Sequence, residues 1–363
     1  MVKVIMFSDL YLPTFPFLDI PLYTELKKRG IEVIYILQEG DIRLTIPELA
    51  KVYKSITTTI KKAKHINELI TKDDLLVMRF CYKGTGGDIA NAVRAEKKRI
   101  LMLDPAAVDL CHRECPAQYI TSKSPWLTEQ VKKKFSGCYK EIFTVGTIHF
   151  DEAWRTKPNK QELMKSYGLD PNKKMAILCK ASQGEIGHQK GVDEEYIRIV
   201  ETIRDKCPDY ELLFKCHPVD HLSQYPMMPG IQHKNEHYKN KPSWEILFPS
   251  GIKVIRPEHG YMGFKCADVI LNVRSSVGME SMLFPTPLIN VNIHKYLTNW
   301  PKVNDPEIMK NIELKDLERT LNQNEYNVNK DKCLAHVKRY CDPMADGKAY
   351  IRTAEIIAKL VGA

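Results

Sequence analysis

Short apolar runs alternate along this chain with longer polar stretches in which apolar residues recur every three or four positions. In the first half the runs are residues 2–7, 31–37, 75–80, 99–103 and 142–145. In the second they are residues 175–179, 211–216, 252–255, 268–273 and 288–291. Runs of this length, apolar on both faces and separated by helical spacing, predict parallel strands with helices between them. The spacing predicts helices over about residues 18–29, ending at Gly30, 126–135 with Pro125 at its start, 192–207 and 349–360. The expected fold is α/β, built from two Rossmann-like, doubly wound domains. A polar stretch with Pro158 and Pro171 separates the two sets of strands. The reading is therefore a first domain over 1–155, a linker over 156–174, a second domain over 175–345 and a terminal helical segment over 346–363. The tail from Pro306 onward is expected to be helical and polar.

The stretch 267–292, ADVILNVRSSVGMESMLFPTPLINVN, carries the strongest local signal. It reads as strand, polar loop, short helix and strand. Ser275, Ser276 and Gly278 fall where a strand ends and a helix begins. Backbone N–H groups there lack helical partners and the helix dipole favours an anion, so a phosphate fits. Glu280, in the helix's first turn, could accept a hydrogen bond from a sugar hydroxyl. The plain alternative makes Ser276 an N-cap and Glu280 a first-turn acid, worth about 1 kcal/mol of helix stability. A second run ends in His217-Pro218. A histidine at the end of a buried strand faces the crevice where open α/β sheets take ligands.

Other candidates are placed by the same logic. The loop 180–191, KASQGEIGHQKG, holds three glycines and the cation Lys190. The run 252–255 ends in Arg256-Pro257-Glu258-His259-Gly260-Tyr261. Three first-half carboxylates, Asp9, Asp19 and Asp104, lie where strands end or loops meet helices, and each also fits a turn or cap. The first strand is not followed by Gly-x-Gly-x-x-Gly, which argues against a dinucleotide at the first turn.

Composition narrows the class. A length of 363 residues suits two domains, with 44% hydrophobic and 27% charged residues. No window approaches the roughly 18 apolar residues of a membrane span, and the first residues read as a strand, not a signal peptide. Ten scattered cysteines, several inside apolar runs, suit buried thiols in a reducing, cytoplasmic compartment. Cys111 and Cys115 form the one close pair and have no second pair for zinc. The net charge of +9 comes from small lysine groups spread along the chain, without a nucleic-acid-binding signature. An anionic substrate or an anionic membrane surface accounts for it as well.

With His217-Pro218, Ser275-Ser276, Glu280, Gly146 to Asp151 and Asp346-Gly347-Lys348 in hand, the chain resembles the GT-B glycosyltransferases that carry a His-Pro and a Ser-Ser motif. Sialyl-, polysialyl- and Kdo-transferases and CDP-glycerol glycerophosphotransferases belong to that group, and non-hydrolysing UDP-sugar 2-epimerases are similar in outline. The resemblance implies two Rossmann-like domains facing across a cleft, with the last helix crossing back to the first. It implies that the second domain holds a nucleotide-sugar donor: His217, Ser275, Ser276 and Gly278 at the phosphates, Lys190 adding positive charge, Glu280 at ribose or phosphate, and Arg256, Glu258 and Tyr261 along the base. The first domain would supply a catalytic carboxylate, with Asp19 preferred to Asp9 and Asp104. No Asp-x-Asp occurs, so no metal or other cofactor is expected. The expected activity is metal-independent, inverting glycosyl transfer to a glycan, a lipid-linked glycan or another hydroxyl acceptor. The alternatives are CDP-glycerol-type polyol-phosphate transfer and UDP-sugar 2-epimerisation. The two-glycine phosphate signature of the epimerases is Ser-Ser here, which disfavours the last. The expected protein is cytoplasmic, with peripheral contact to an anionic membrane and no nucleic-acid partner.

Overall fold

The computed structural model describes residues 2–7, 16–39, 44, 47–60, 64–78, 91–103, 117–134, 136–137, 139–180, 192–216, 247–248, 251–256, 259–273, 275, 281–284, 286–292, 303 and 305–363. The chain divides into two compact units, Met1–Trp154 with Lys338–Ala363, and Arg155–Val337.

The first unit is built on a seven-stranded sheet in the order β3-β2-β1-β4-β5-β6-β7. Its strands are β1 (Lys3–Phe7), β2 (Glu32–Gln38), β3 (Thr57–Ile60), β4 (Leu75–Met78), β5 (Arg99–Met102), β6 (Tyr119–Ser122) and β7 (Glu141–Thr144). Every pairing is parallel. Alternate residues of β1 enter opposite cores. Val4 and Met6 join Leu22 and Leu26 of α1 (Pro16–Lys28), while Ile5 and Phe7 join Ile66, Val93, Leu127 and Val131. This two-sided burial is why the strands read as continuous apolar runs. Several elements depart from the sequence reading, among them strand β6 and helix α3 (Lys64–Leu69). The segment β3, TTTI, is an edge strand too polar to stand out, and helix α2 (Pro47–Tyr53) precedes it.

The second unit has the order β12-β11-β10-β8-β9. These are β8 (Lys174–Lys180), β9 (Tyr210–Lys215), β10 (Val269–Val273), β11 (Leu288–Asn292) and β12 (Lys310–Glu313). A single parallel bridge from Phe214 to Val254 marks a further position beyond β9. Counted in chain order within the unit, the strands then run 3-2-1-4-5-6, the doubly wound order with its switch point between β8 and β10. The run 252–255 pairs only at that bridge. The tail after Pro306 is not all helical, because β12, KNIE, is an edge strand with one buried residue, Ile312. In the stretch read as a short helix and a linker, helix α6 (Lys160–Ser166) belongs to the second unit. Asp268 accepts from the Met175 N–H and from Lys160 Nζ, both at 2.7 Å. Counting α3 (Lys64–Leu69), α4 (Pro125–Lys134) and α5 (Ile148–Arg155) before it, the helices continue as α7 (Val192–Lys206), α8 (Gly260–Cys266), α9 (Leu317–Asn322), α10 (Lys330–Tyr340) and α11 (Ala349–Val361). Among the described residues no helix is long and apolar enough to cross a membrane.

The terminal helix α11 completes the first unit. Ala349, Ala354, Ile357, Ala358 and Val361 enter the same cluster as Leu22 and Leu26. Two motifs quoted for the resemblance meet at its start. Asp151, fully buried, accepts hydrogen bonds from the backbone N–H of Ala349 at 3.0 Å and of Tyr350 at 2.8 Å. Arg352 donates to the Val145 carbonyl at 2.7 Å and makes a two-pronged pair with Asp346 at 2.8 and 2.9 Å. Thr147 donates to the Cys341 carbonyl at 2.8 Å. Burial pushes the Asp342 carboxyl above its ordinary range, although the N–H groups of Met344 and Ala345 and the Arg352 guanidinium pull the other way.

Candidate functional site

The switch point of the second unit is formed by the ends of β8 and β10. Lys180 is the last residue of β8 and is paired in register with Val273, the last residue of β10. It is 1% exposed, unusual for a lysine. Its ammonium lies 5.8 Å from the ring centroid of Tyr196 on α7. Tyr196 in turn donates to the Val273 carbonyl at 3.5 Å. Ser275 follows two residues beyond β10 and is also buried. On the neighbouring strand, Lys215 ends β9 and projects to the opposite face, 5.7 Å from the Phe264 ring of α8. Two lysines thus flank the carboxyl ends of adjacent central strands, one on each face of the sheet.

A second polar group lies where the chain leaves the Val254 bridge. The Arg256 N–H donates to the Tyr167 hydroxyl oxygen at 2.8 Å. That hydroxyl is 3.1 Å from His259 Nδ1. The Arg256 guanidinium stacks on Tyr167, 5.7 Å from the ring centroid, and its Nη2 lies 3.3 Å from His259 Nδ1. Tyr261 packs edge-on against Phe264, at a centroid distance of 6.4 Å.

In the first unit Asp19 sits in the first turn of α1, 7% exposed, and accepts from the Tyr35 hydroxyl at 2.5 Å. Tyr35 belongs to β2 and packs on Tyr53, with centroids 5.8 Å apart. The carboxylate thus takes a hydrogen bond from β2 beside the apolar cluster that α1 and β2 share.

Of the residues singled out from the sequence, Asp19, Arg256, Tyr261 and Ser275 are placed by the structure. Asp9, Asp104, Lys190, His217, Glu258, Ser276, Gly278 and Glu280 lie outside the described residues. Sequence reasoning missed Lys180 and Tyr167. Lys180 closes the run MAILCK, where a lysine reads as the first loop residue. Tyr167 stands in the stretch read as linker and carries no local signal. Among the described residues, no group of three or more His, Cys, Asp or Glu side chains could hold a metal.

No protein-family model and no curated protein match the chain. Solved structures do. A putative UDP-N-acetylglucosamine 2-epimerase from Listeria monocytogenes superposes with a TM-score of 0.62 at 14% identity, over 99% of this chain and 96% of the other. The UDP-GlcNAc 2-epimerase of Neisseria meningitidis, bound to UDP-GlcNAc, gives 0.62 at 13% identity, over 99% and 100%. The wall teichoic acid polymerase TagF gives 0.60 at 14% identity, over 99% and 89%. The fold is GT-B. At these identities the likeness defines architecture, and the chemistry has to be argued from the side chains.

Proposed function

We propose that the second unit binds a nucleotide-linked donor by its phosphates, and that the protein is a metal-independent, inverting glycosyltransferase. The observation that carries this reading is Lys180, a buried ammonium at the switch point where doubly wound sheets take their ligands. A cation at that position can attract a phosphate. Lys215 adds charge on the other face, and Ser275 and Ser276 supply N–H donors. His217 donates to a phosphate oxygen, Lys190 and Gly278 complete the phosphate side, and Glu280 takes a ribose hydroxyl. Arg256, with Glu258, His259, Tyr261 and Tyr167, lies along the base. As the bond from the anomeric carbon to phosphate breaks, charge grows on the leaving phosphate, and fixed cations and donors favour that state over the ground state. No metal is needed for that role. The acceptor hydroxyl, on a glycan or lipid-linked glycan, loses its proton to a first-unit carboxylate, with Asp19 ahead of Asp9 and Asp104.

The likeness to TagF supports a second reading, polyol-phosphate transfer from a CDP-linked donor to a polymer at a membrane surface. A panel of UDP-, GDP-, CMP- and CDP-linked donors, assayed for released nucleotide and for isomerised sugar, separates the readings. Release of a nucleoside diphosphate, or of CMP from a CMP-sugar, with transfer supports glycosyl transfer. CMP released from CDP-glycerol supports the polyol-phosphate reading. Isomerised sugar without an acceptor overturns both in favour of epimerisation.

A further inference from the structure

A polar row crosses the second unit's sheet near its carboxyl edge. Register places Lys215, Cys179, Asn272, Asn290 and Asn311 side by side on five successive strands, β9-β8-β10-β11-β12. The neighbouring row on the same face, Leu213, Ile177, Ile270 and Leu288, is wholly apolar. Asn272 and Asn290 are 0% and 2% exposed, whereas Asn311 reaches the surface on the edge strand.

The three amides are joined head to tail, and the direction of the chain is fixed at its outer end. The Val303 carbonyl can only accept, so Asn311 must turn its Nδ2 toward it, at 3.1 Å. The Asn311 oxygen then faces Asn290, whose Nδ2 donates to it at 3.1 Å. The Asn290 oxygen accordingly faces Asn272, whose Nδ2 donates at 3.4 Å. A branch gives the same answer. Asn292 donates to the Glu313 carboxylate at 3.1 Å, another pure acceptor, and presents its oxygen to Asn290 Nδ2 at 3.3 Å. Two anchors at the edge of the sheet therefore set the amide orientation of Asn272 beside the switch point, with its carbonyl turned away from Asn290 toward the central strands.

We propose that Asn290 is a positioning residue: through Asn272 it locks the end of β10, and with it Ser275, in the geometry that binds a nucleotide's phosphates. The role rests on the nucleotide-binding reading above, but the locking itself does not. In Asn290→Asp the shape and the acceptor for Asn272 Nδ2 are kept, but both donors become acceptors facing the oxygens of Asn311 and Asn292, so the row is cut from its two anchors at the edge of the sheet. Hydrogen exchange in the ligand-free protein gives the first readout. Backbone amides of residues 273–275 should exchange about tenfold faster in Asn290→Asp than in wild type. Exchange at the wild-type rate overturns the proposal. Calorimetric titration with UDP and CDP gives the second. Asn290→Asp should bind about tenfold more weakly near pH 8. It should recover as pH falls far enough to protonate the carboxyl, which burial and the two facing oxygens push upward, because the acid form donates one of the two bonds again. Asn290→Leu should stay weak throughout, a difference that lost packing alone would not produce. Equal affinity in all three proteins sinks the positioning role. Binding of neither nucleotide by wild type sinks the nucleotide reading instead and leaves the exchange test standing. Should Asn290→Asp fail to fold, Asn311→Ala, at the exposed edge, carries the same exchange and affinity tests with a smaller expected shift, about threefold.

Discussion

Lys180 and Asp74 show how differently two buried charges can be used. Lys180 lies at the carboxyl end of its strand, where the phosphate site is proposed. Lys180→Met keeps the length and apolar stem of the side chain. Nucleotide affinity should fall about tenfold, or ~1.4 kcal/mol, by calorimetric titration. Unchanged affinity would remove the main support for the phosphate site. Asp74 sits at the amino end of β4, away from the ligand side, and accepts from the Lys3 N–H, the Thr71 N–H and the Thr71 hydroxyl, each at 2.8 Å. Burial pushes its carboxyl up, but the hydrogen bonds from Thr71 and Lys3 outweigh it and hold the group below its ordinary value of 3.8. A depressed carboxyl stabilises the fold above its unfolded pKa and loses that contribution as pH falls through the folded one. Asp74→Asn should thus cost about 1.5–3 kcal/mol at neutral pH by denaturant titration. The gap from wild type should close as pH drops below the ordinary carboxylate range.

At the scale of elements, the sequence revealed what apolar periodicity can carry and hid what depends on pairing. Most central strands of both sheets were legible because both faces are buried, as in β1 and β8, each nearly solid with apolar residues, whereas β6, YITS, was not. The edge strands β3 and β12 were not, because an edge needs only one buried face and its polar residues mimic a loop or helix. The same limit applied to the site. A motif such as Ser275-Ser276 is visible as letters, whereas the Tyr167–Arg256–His259 group exists only because α6 folds back onto the second unit. Nor could the letters reveal that Gly146 to Asp151 and Asp346 to Lys348 form one structural joint around the start of α11. Gly146 is held at φ +93°, and a Cβ there would stand 2.5 Å from the Asp342 carboxylate oxygen. Gly146→Ala should therefore destabilise the first unit by about 2–4 kcal/mol in thermal denaturation. Asp151→Ala, which uncaps α11, should cost about 1–2 kcal/mol by the same measurement. A loss within 0.5 kcal/mol at both positions, roughly the level of an ordinary surface change, would mean that the joint does not hold the helix.

On the scale of the whole molecule, the first unit is discontinuous in sequence and the second is not. The chain builds a seven-stranded sheet, runs through the entire second unit, and returns to supply α11 to the first unit's core. Five core side chains of that helix, Ala349, Ala354, Ile357, Ala358 and Val361, are buried with α1. At roughly 1.5–3 kcal/mol for each large aliphatic side chain and less for alanine, their loss matches most of the roughly 5–15 kcal/mol that a domain has in reserve. The second unit has its own cluster around Tyr196, Phe214, Leu271 and Ile289, which draws nothing from residues beyond 337. Deleting residues 346–363 should therefore unfold the first unit selectively. Calorimetry should lose one transition and keep another, and limited proteolysis should cut within residues 1–154 while leaving a fragment close to 155–337. That fragment should still bind the nucleotide that wild type binds, because the cations and serines assigned to the phosphates all lie inside it. Loss of both transitions, or a truncated protein that melts like wild type, would contradict the division of labour between a terminal helix that completes one core and a nucleotide site that belongs wholly to the other.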